Sequence, residues 1–346
     1  MVKWRKLGRA AGVALAGYLA LGAVSGAALA QKTLNWRMQS NLSAGEPGYE
    51  AAKAMFVDRL SVISGGRIKI QMHPTGALFP IGQSLEAIGG GITEIGMAAG
   101  GYFVGKMGPI AALEMGTPGA ERTPIERYNF FYERGFIDIV REAYAKYGIY
   151  YLGPNLAPQW DIIARKPIRS MKDFEGLKIR ATGIESPWYQ SMGAAPVNLS
   201  GAEIYTALAT NVVDAVRWGS PSVHLALGMP EVGKFYIEPS PMPAANNNIL
   251  INKRAWDGLP DDLKAMLDWA CKMASLDYLA RGAMADGAAR AKMKDEMGVE
   301  FVRIPPEEWA AMEKKAQEIW SGYTDKDPLS GKAVALLKGY LADLGR

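Results

Sequence analysis

The stretch TALATNVVDAVRWGSP, Thr206 to Pro221, decides how this chain folds. A helical run ends at Asn211, a residue able to take a left-handed cap. Two apolar residues and an acid, Asp214, follow, and a short strand then closes on Arg217 and Trp218 before a turn at Gly219 and Pro221. EAIGGGITEIGMA, Glu86 to Ala98, has the same plan, with Gly91 and Glu94 in the places of Asn211 and Asp214. Each copy stands behind a strand of its own, RIKIQMHP in the first case and LKIRATG in the second. Two such units predict two α/β halves, with parallel strands carried by helical crossovers, and hence two lobes around a cleft. They also raise a question, since a permanently charged guanidinium at Arg217 ends what reads as a buried strand.

Working outward, LNWRMQS (Leu34 to Ser40) reads as a first strand and Gly48 to Ser64 as an amphipathic helix stopped by Gly65-Gly66. ANNNILINKRAW, Ala245 to Trp256, reads as a strand crossing back between the lobes, and Leu259 to Met297 as a long helical stretch. The expected division is lobe I over 31–154, completed by about 245–300, lobe II over 155–244, and C-terminal helices packed on the lobes over 301–346. Hinges are expected near 154–156 and 243–246.

The amino terminus reads as a secretory signal: MVKWRKLGR is basic, the run from Ala10 to Ala27 is uncharged, and Ala28-Leu29-Ala30 is a small-x-small processing site, predicting cleavage after Ala30. Of 39 basic residues four lie in this leader and none of the 35 acids does, so the mature chain is neutral. That balance gives no reason to expect nucleic acid as a partner. Cys271 is the single cysteine, so no internal disulfide forms, and its helical setting reads as a packed thiol. A bacterial periplasm is the expected compartment.

Catalytic patterns are poor. There are two histidines, His73 and His224, read as surface or helix-start residues; there is no nucleophile elbow, phosphate-binding loop, dinucleotide fingerprint or cysteine cluster. An enzyme is therefore not expected, and a metal site of His and Cys is set aside. Binding chemistry remains. In FEGLKIRATGIES, Arg180 ends a strand before a Thr-Gly loop and a new helix, the place where ligands collect in open α/β sheets. A guanidinium there grips a carboxylate through two parallel hydrogen bonds; the alternative is a surface ion pair with Asp173 or Glu175.

LKIRATG, GAAPVNLSGAEIYTALATNVVDAVRWGSP, LALGMPEVGKFYIEP and SGGRIKIQMHPTGALFP together resemble the solute-binding proteins of tripartite ATP-independent periplasmic (TRAP) transporters. The W-x-x-P ending is similar to the branch that takes α-keto and related organic acids. The resemblance implies a two-lobed α/β periplasmic-binding-protein-like fold, type II-like, with a long helix across both lobes. It also implies closure around a small organic acid, a dicarboxylate or a keto or hydroxy acid, and delivery to membrane permease subunits; the alternatives are an aromatic or other monocarboxylate as ligand, or a ligand sensor on the same fold. It places the carboxylate-gripping arginine at Arg180, a cleft glutamine at Gln159 and a cleft tryptophan at Trp218. Where the branch carries a glutamate that helps hold a metal cation, this chain has Arg217, and Trp160-Asp161-Ile162 replaces the usual Gly-Gly-Trp. Exchanging −1 for +1 turns attraction for a cation into repulsion of about 4 kcal/mol per unit pair at intermediate dielectric, so no metal cofactor is expected. Arg217 is read as facing the cleft, either replacing the cation's charge or binding a second acidic group, which favours a dicarboxylate; the alternative pairs it with Glu203 or Asp161. Trp160 is a candidate cleft wall, and Asn246 and Asn248, on one face of their strand, are candidates for neutral hydrogen bonds to the ligand.

Overall fold

The computed structural model describes residues 33–346; the leader and its cleavage point lie outside the described residues. Among the described residues no helix is long and apolar enough to cross a membrane.

Among the described residues eleven strands form two sheets. They are β1 (Leu34–Ser40), β2 (Ile68–His73), β3 (Ile95–Ala98), β4 (Ile149–Ala157), β5 (Trp160–Ala164), β6 (Lys178–Arg180), β7 (Ala195–Val197), β8 (Ala215–Trp218), β9 (Phe235–Met242), β10 (Ala245–Asn252) and β11 (Glu300–Arg303). The first sheet runs β2-β1-β3-β10-β4 and the second β11-β9-β5-β8-β6-β7. The strands expected to be parallel are so, β1 with β2 and β3, and β6 with β7 and β8. β10 and β5 run antiparallel to both of their neighbours, which the crossover pattern did not foresee.

The repeated unit has one physical basis in both sheets. Helix Ser84–Gly90 ends at Gly91 with φ +83°, and helix Ile204–Ala209 is followed by Asn211 with φ +66°, the one non-glycine at positive φ among the described residues. The acid that comes next then binds the neighbouring parallel strand. Glu94 Oε2 accepts from the Arg37 N–H (2.7 Å), and Asp214 Oδ2 accepts from the Lys178 N–H (3.1 Å). Each acid thus satisfies a backbone donor beside the ladder and sets the register in which β3 joins β1 and β8 joins β6.

The chain passes between sheets at Pro158-Gln159, where β4 gives way to β5, and returns at Pro243-Ala244, where β9 gives way to β10. The expected hinge at 154–156 is instead inside β4, in register with Asn246, Asn247 and Asn248. β10 belongs wholly to the first sheet. The segment from 301 does not begin as helix, because β11 adds an edge strand to the second sheet. Helix Pro306–Ser321 then packs Met312 and Ala316 against Ile179 and Trp188 of the second lobe, whereas helix Pro328–Asp343 packs Leu337 and Tyr340 among Phe130 and Phe136 of the first.

A long helix, Asp261–Asp295, fastens both lobes. Ser275 Oγ accepts from Leu156 N (3.1 Å) and donates to Pro154 O (2.9 Å) on the first sheet. Three turns on, Asp286 Oδ1 accepts from Ser220 Oγ (2.7 Å) and Ser222 N (2.9 Å) of the second lobe. Between them Gly282 passes the crossing peptide so closely that a Cβ would lie 2.5 Å from Pro158 Cγ.

Candidate ligand-binding site

β6 and β8 lie side by side and end together, which brings Arg180 and Arg217 to the same edge of the second sheet. Both are buried, at 1% and 0% exposure. Arg180 Nε and Nη2 donate to Leu199 O (3.0 and 2.9 Å), and Nη1 donates to Arg217 O (3.2 Å). Nη2 also donates to the hydroxyl of Tyr102 (3.3 Å), which comes from the first lobe on the 3-10 turn Gly100–Tyr102 just beyond β3. Four of five N–H groups are thus engaged, leaving one on Nη1. The guanidinium lies 4.7 Å from the ring centre of Trp218, and among the described residues no carboxylate is in ion-pair reach of it. Burial pushes its pKa down, opposed by Tyr102. A carboxylate arriving in place of Tyr102 would meet Nη2 and the spare Nη1 hydrogen together, the bidentate arrangement a planar fork favours.

Arg217 has a different partner set. Its guanidinium lies 4.8 Å from the ring centre of Trp160 and is ion-paired with Glu185, both side chains fully buried. None of its three nitrogens has a hydrogen-bond partner among the described residues, and neither carboxylate oxygen of Glu185 has one, so the contact is an ion pair alone. Burial, and then the nearby charge of Arg180, work against ionised Arg217, opposed by Tyr102. Neither acid expected for it serves: Glu203 caps its own turn through Ser200, and Asp161 accepts from Tyr236 and Gln159. The acid paired with Arg217 is thus one that the sequence reading did not name. The guanidinium already has a carboxylate, supplied from the first turn of the helix that follows Arg180.

Trp160 and Trp218 stack nearly parallel, 10° apart with centroids at 6.4 Å. Trp218 Nε1 donates to Glu46 Oε2 of the first lobe (3.3 Å), and burial pushes the pKa of Glu46 up. The two indoles, Glu46, Asn247 and Tyr278 bound an interlobe cavity of about 20 Å³, room for about one water. Arg180 and Arg217 lie behind the indoles and outside its lining, so a ligand reaches them only when the lobes part.

Gln159 is half-buried at the crossing peptide, where Nε2 donates to Asp161 Oδ2 (3.0 Å) and the residue borders a groove beside the long helix with Pro243, Leu276 and Ala283. Asp161 is pushed up to about 6 by burial, opposed by the bonds from Tyr236, Ser240 and Gln159. Asn246 and Asn248, the candidates for neutral hydrogen bonds to the ligand, have partners within the first lobe in this structure. Asn246 accepts from Arg127 Nε (3.1 Å) and donates to Glu114 Oε1 (3.2 Å), while Asn248 accepts from Tyr151 (2.8 Å) and Asn246 (2.7 Å), all inside the first lobe. Period two did put them on one face, but the cleft sees the other: Asn247 lines the cavity and accepts from Asn41 Nδ2 (2.8 Å). His224 is fully buried rather than at the surface, with its pKa pushed down to about 3 by burial, and Cys271 is a core thiol pushed up to about 12.

Sequence reasoning missed Tyr102, Glu185, Glu46 and Tyr278. Glu185 stood in the same stretch as Arg180 and carried a local signal, an acid in a first helical turn, which reads as a dipole contact until the burial of its side chain is seen. Tyr102 follows the carboxyl end of β3 as Arg180 ends β6, so the strand-end argument applied to both halves would have found it.

The cation implied by the resemblance does not fit these residues. A guanidinium stands where the acid would be, Gln159 is held by Asp161, and among the described residues no three His, Cys, Asp or Glu side chains gather as a metal site.

Residues 38–327 match the family model of bacterial extracellular solute-binding proteins, family 7. A monocarboxylate 2-oxoacid-binding periplasmic protein of a Nostoc species is 26% identical over 296 residues, covering 85% of this chain and 80% of that one. The C4-dicarboxylate-binding periplasmic protein of Rhodobacter capsulatus is 30% identical over 184 residues, 52% of this chain and 54% of that one. A TRAP periplasmic solute-binding protein of Pseudoalteromonas atlantica, solved with bound sodium and pyruvate, superposes with a TM-score of 0.82 at 26% identity, covering 90% of this chain and 95% of that one.

Proposed function

We propose that this chain, which belongs to the bacterial extracellular solute-binding proteins of family 7, the periplasmic solute-binding components of TRAP transporters, captures a carboxylate solute between its lobes and delivers it to membrane permease subunits. The observation that carries the reading is Arg180, a buried guanidinium at a strand end whose one cross-lobe partner is a neutral tyrosine. A solute carboxylate would take the place of that hydroxyl and join the lobes. The indoles of Trp218 and Trp160 and the amide of Asn247 would wall the solute, and the unpartnered Nε and Nη1 of Arg217 would offer neutral-oxygen contacts suited to a 2-oxo or 2-hydroxy group.

A thermal-shift screen of organic acids tests this. A solute at 100 times its dissociation constant should raise stability by about 2.7 kcal/mol. If no acid in a panel of mono- and dicarboxylates shifts the melting temperature, while uncharged solutes do, the carboxylate reading fails.

A further inference from the structure

We infer that Glu185 is the specificity-determining residue of the cleft: by neutralising Arg217 it leaves Arg180 as the one guanidinium there without a carboxylate, and so confines the solute to a single acidic group. The inference rests on the reading of the cleft as a carboxylate site. The side chains of Arg217 and Glu185 are both fully buried and paired with each other, and among the described residues Arg180 has no acid in ion-pair reach. A monocarboxylate completes the charge balance. A second carboxylate would find no unpaired guanidinium beside Arg180 among the described residues, and would meet Glu185, already paired with Arg217, and Glu46, which accepts from Trp218. Like charges brought together in a desolvated site discriminate strongly against the wrong ligand. The adjacent Arg217 N–H groups that Glu185 does not engage remain donors, so the pair excludes a second charge without losing polarity toward a neutral oxygen.

The test compares acids of three to six carbons, each monocarboxylate matched with the dicarboxylate of the same length, by calorimetry on the mature protein. The wild type should favour the monocarboxylate of each pair. Glu185→Gln frees the charge of Arg217 and should shift the ratio at least about tenfold toward the dicarboxylates, which is about 1.4 kcal/mol. Because that variant leaves a buried charge unpaired and can fail to fold, the double variant Glu185→Gln/Arg217→Gln, with both charges gone, is measured beside it; having lost the Arg217 donors it should bind every acid more weakly, but it should still favour the monocarboxylate of each pair. A wild type that prefers dicarboxylates overturns this inference and leaves the carboxylate site standing. So does a ratio unchanged in folded Glu185→Gln, or a double variant that turns to dicarboxylates. Failure of every acid to bind the wild type overturns both.

Discussion

Arg180 is held by backbone carbonyls on its own lobe and by one hydroxyl from the other, so its position is set before a solute arrives while its charge is left uncompensated. Arg180→Ala should weaken binding by on the order of 2 to 5 kcal/mol, because the solute's carboxylate would then be buried unpaired. Arg180→Lys should recover only part of this, since an ammonium cannot present two parallel donors. Titration calorimetry reads both, and an unchanged affinity in Arg180→Ala would refute the anchor. Arg217 makes a separate case at the same scale. With its guanidinium where a cation would otherwise sit, exhaustive chelation should leave solute affinity unchanged; a loss on chelation that added calcium or sodium restores would count against it.

Among the elements, the helix-to-strand unit depends on one backbone conformation. Asn211 holds φ +66° where the first copy has Gly91. Asn211→Ala should destabilise by about 1 kcal/mol, because a Cβ without a local hydrogen bond is disfavoured in the left-handed region, whereas Asn211→Gly should be nearly neutral. Urea unfolding distinguishes them. The network under β10 supplies a pH dependence. Glu114 is buried, accepting from Tyr144 (3.0 Å) and Asn246 (3.2 Å) near the Arg127–Glu121 ion pair, and its pKa is raised from 4.5 to about 7 by burial. The folded chain keeps this proton where the unfolded chain has released it. Its contribution is therefore fully present below pH 4.5 and is lost as pH rises through about 7, amounting to on the order of 3 kcal/mol. Glu114→Gln, measured by thermal unfolding between pH 4.5 and 8, should flatten that part of the profile; a slope equal to the wild type's would rule Glu114 out as its source.

At the scale of the whole molecule, two crossing peptides and one long helix join the lobes, the usual arrangement for hinge closure. With cross-lobe contacts at Tyr102–Arg180 and Glu46–Trp218, a saturating solute should lower the radius of gyration in small-angle scattering, and identical profiles with and without it would argue against closure. Much of this architecture was legible in the chain because it is local. The left-handed positions at Gly91 and Asn211, the period of β1 and β2 and the strand-end place of Arg180 each follow from residue type and spacing within a dozen residues. Charge pairing was not legible, because it depends on which side chains lose water together. Arg217 looked like a free second cation until the fold buried Glu185 against it, 32 residues earlier in the chain. The face of β10 was undetermined for a related reason: three consecutive asparagines are equivalent by pattern, and only the packing of Glu114 and Arg127 on one side decides that Asn247 alone turns to the cleft.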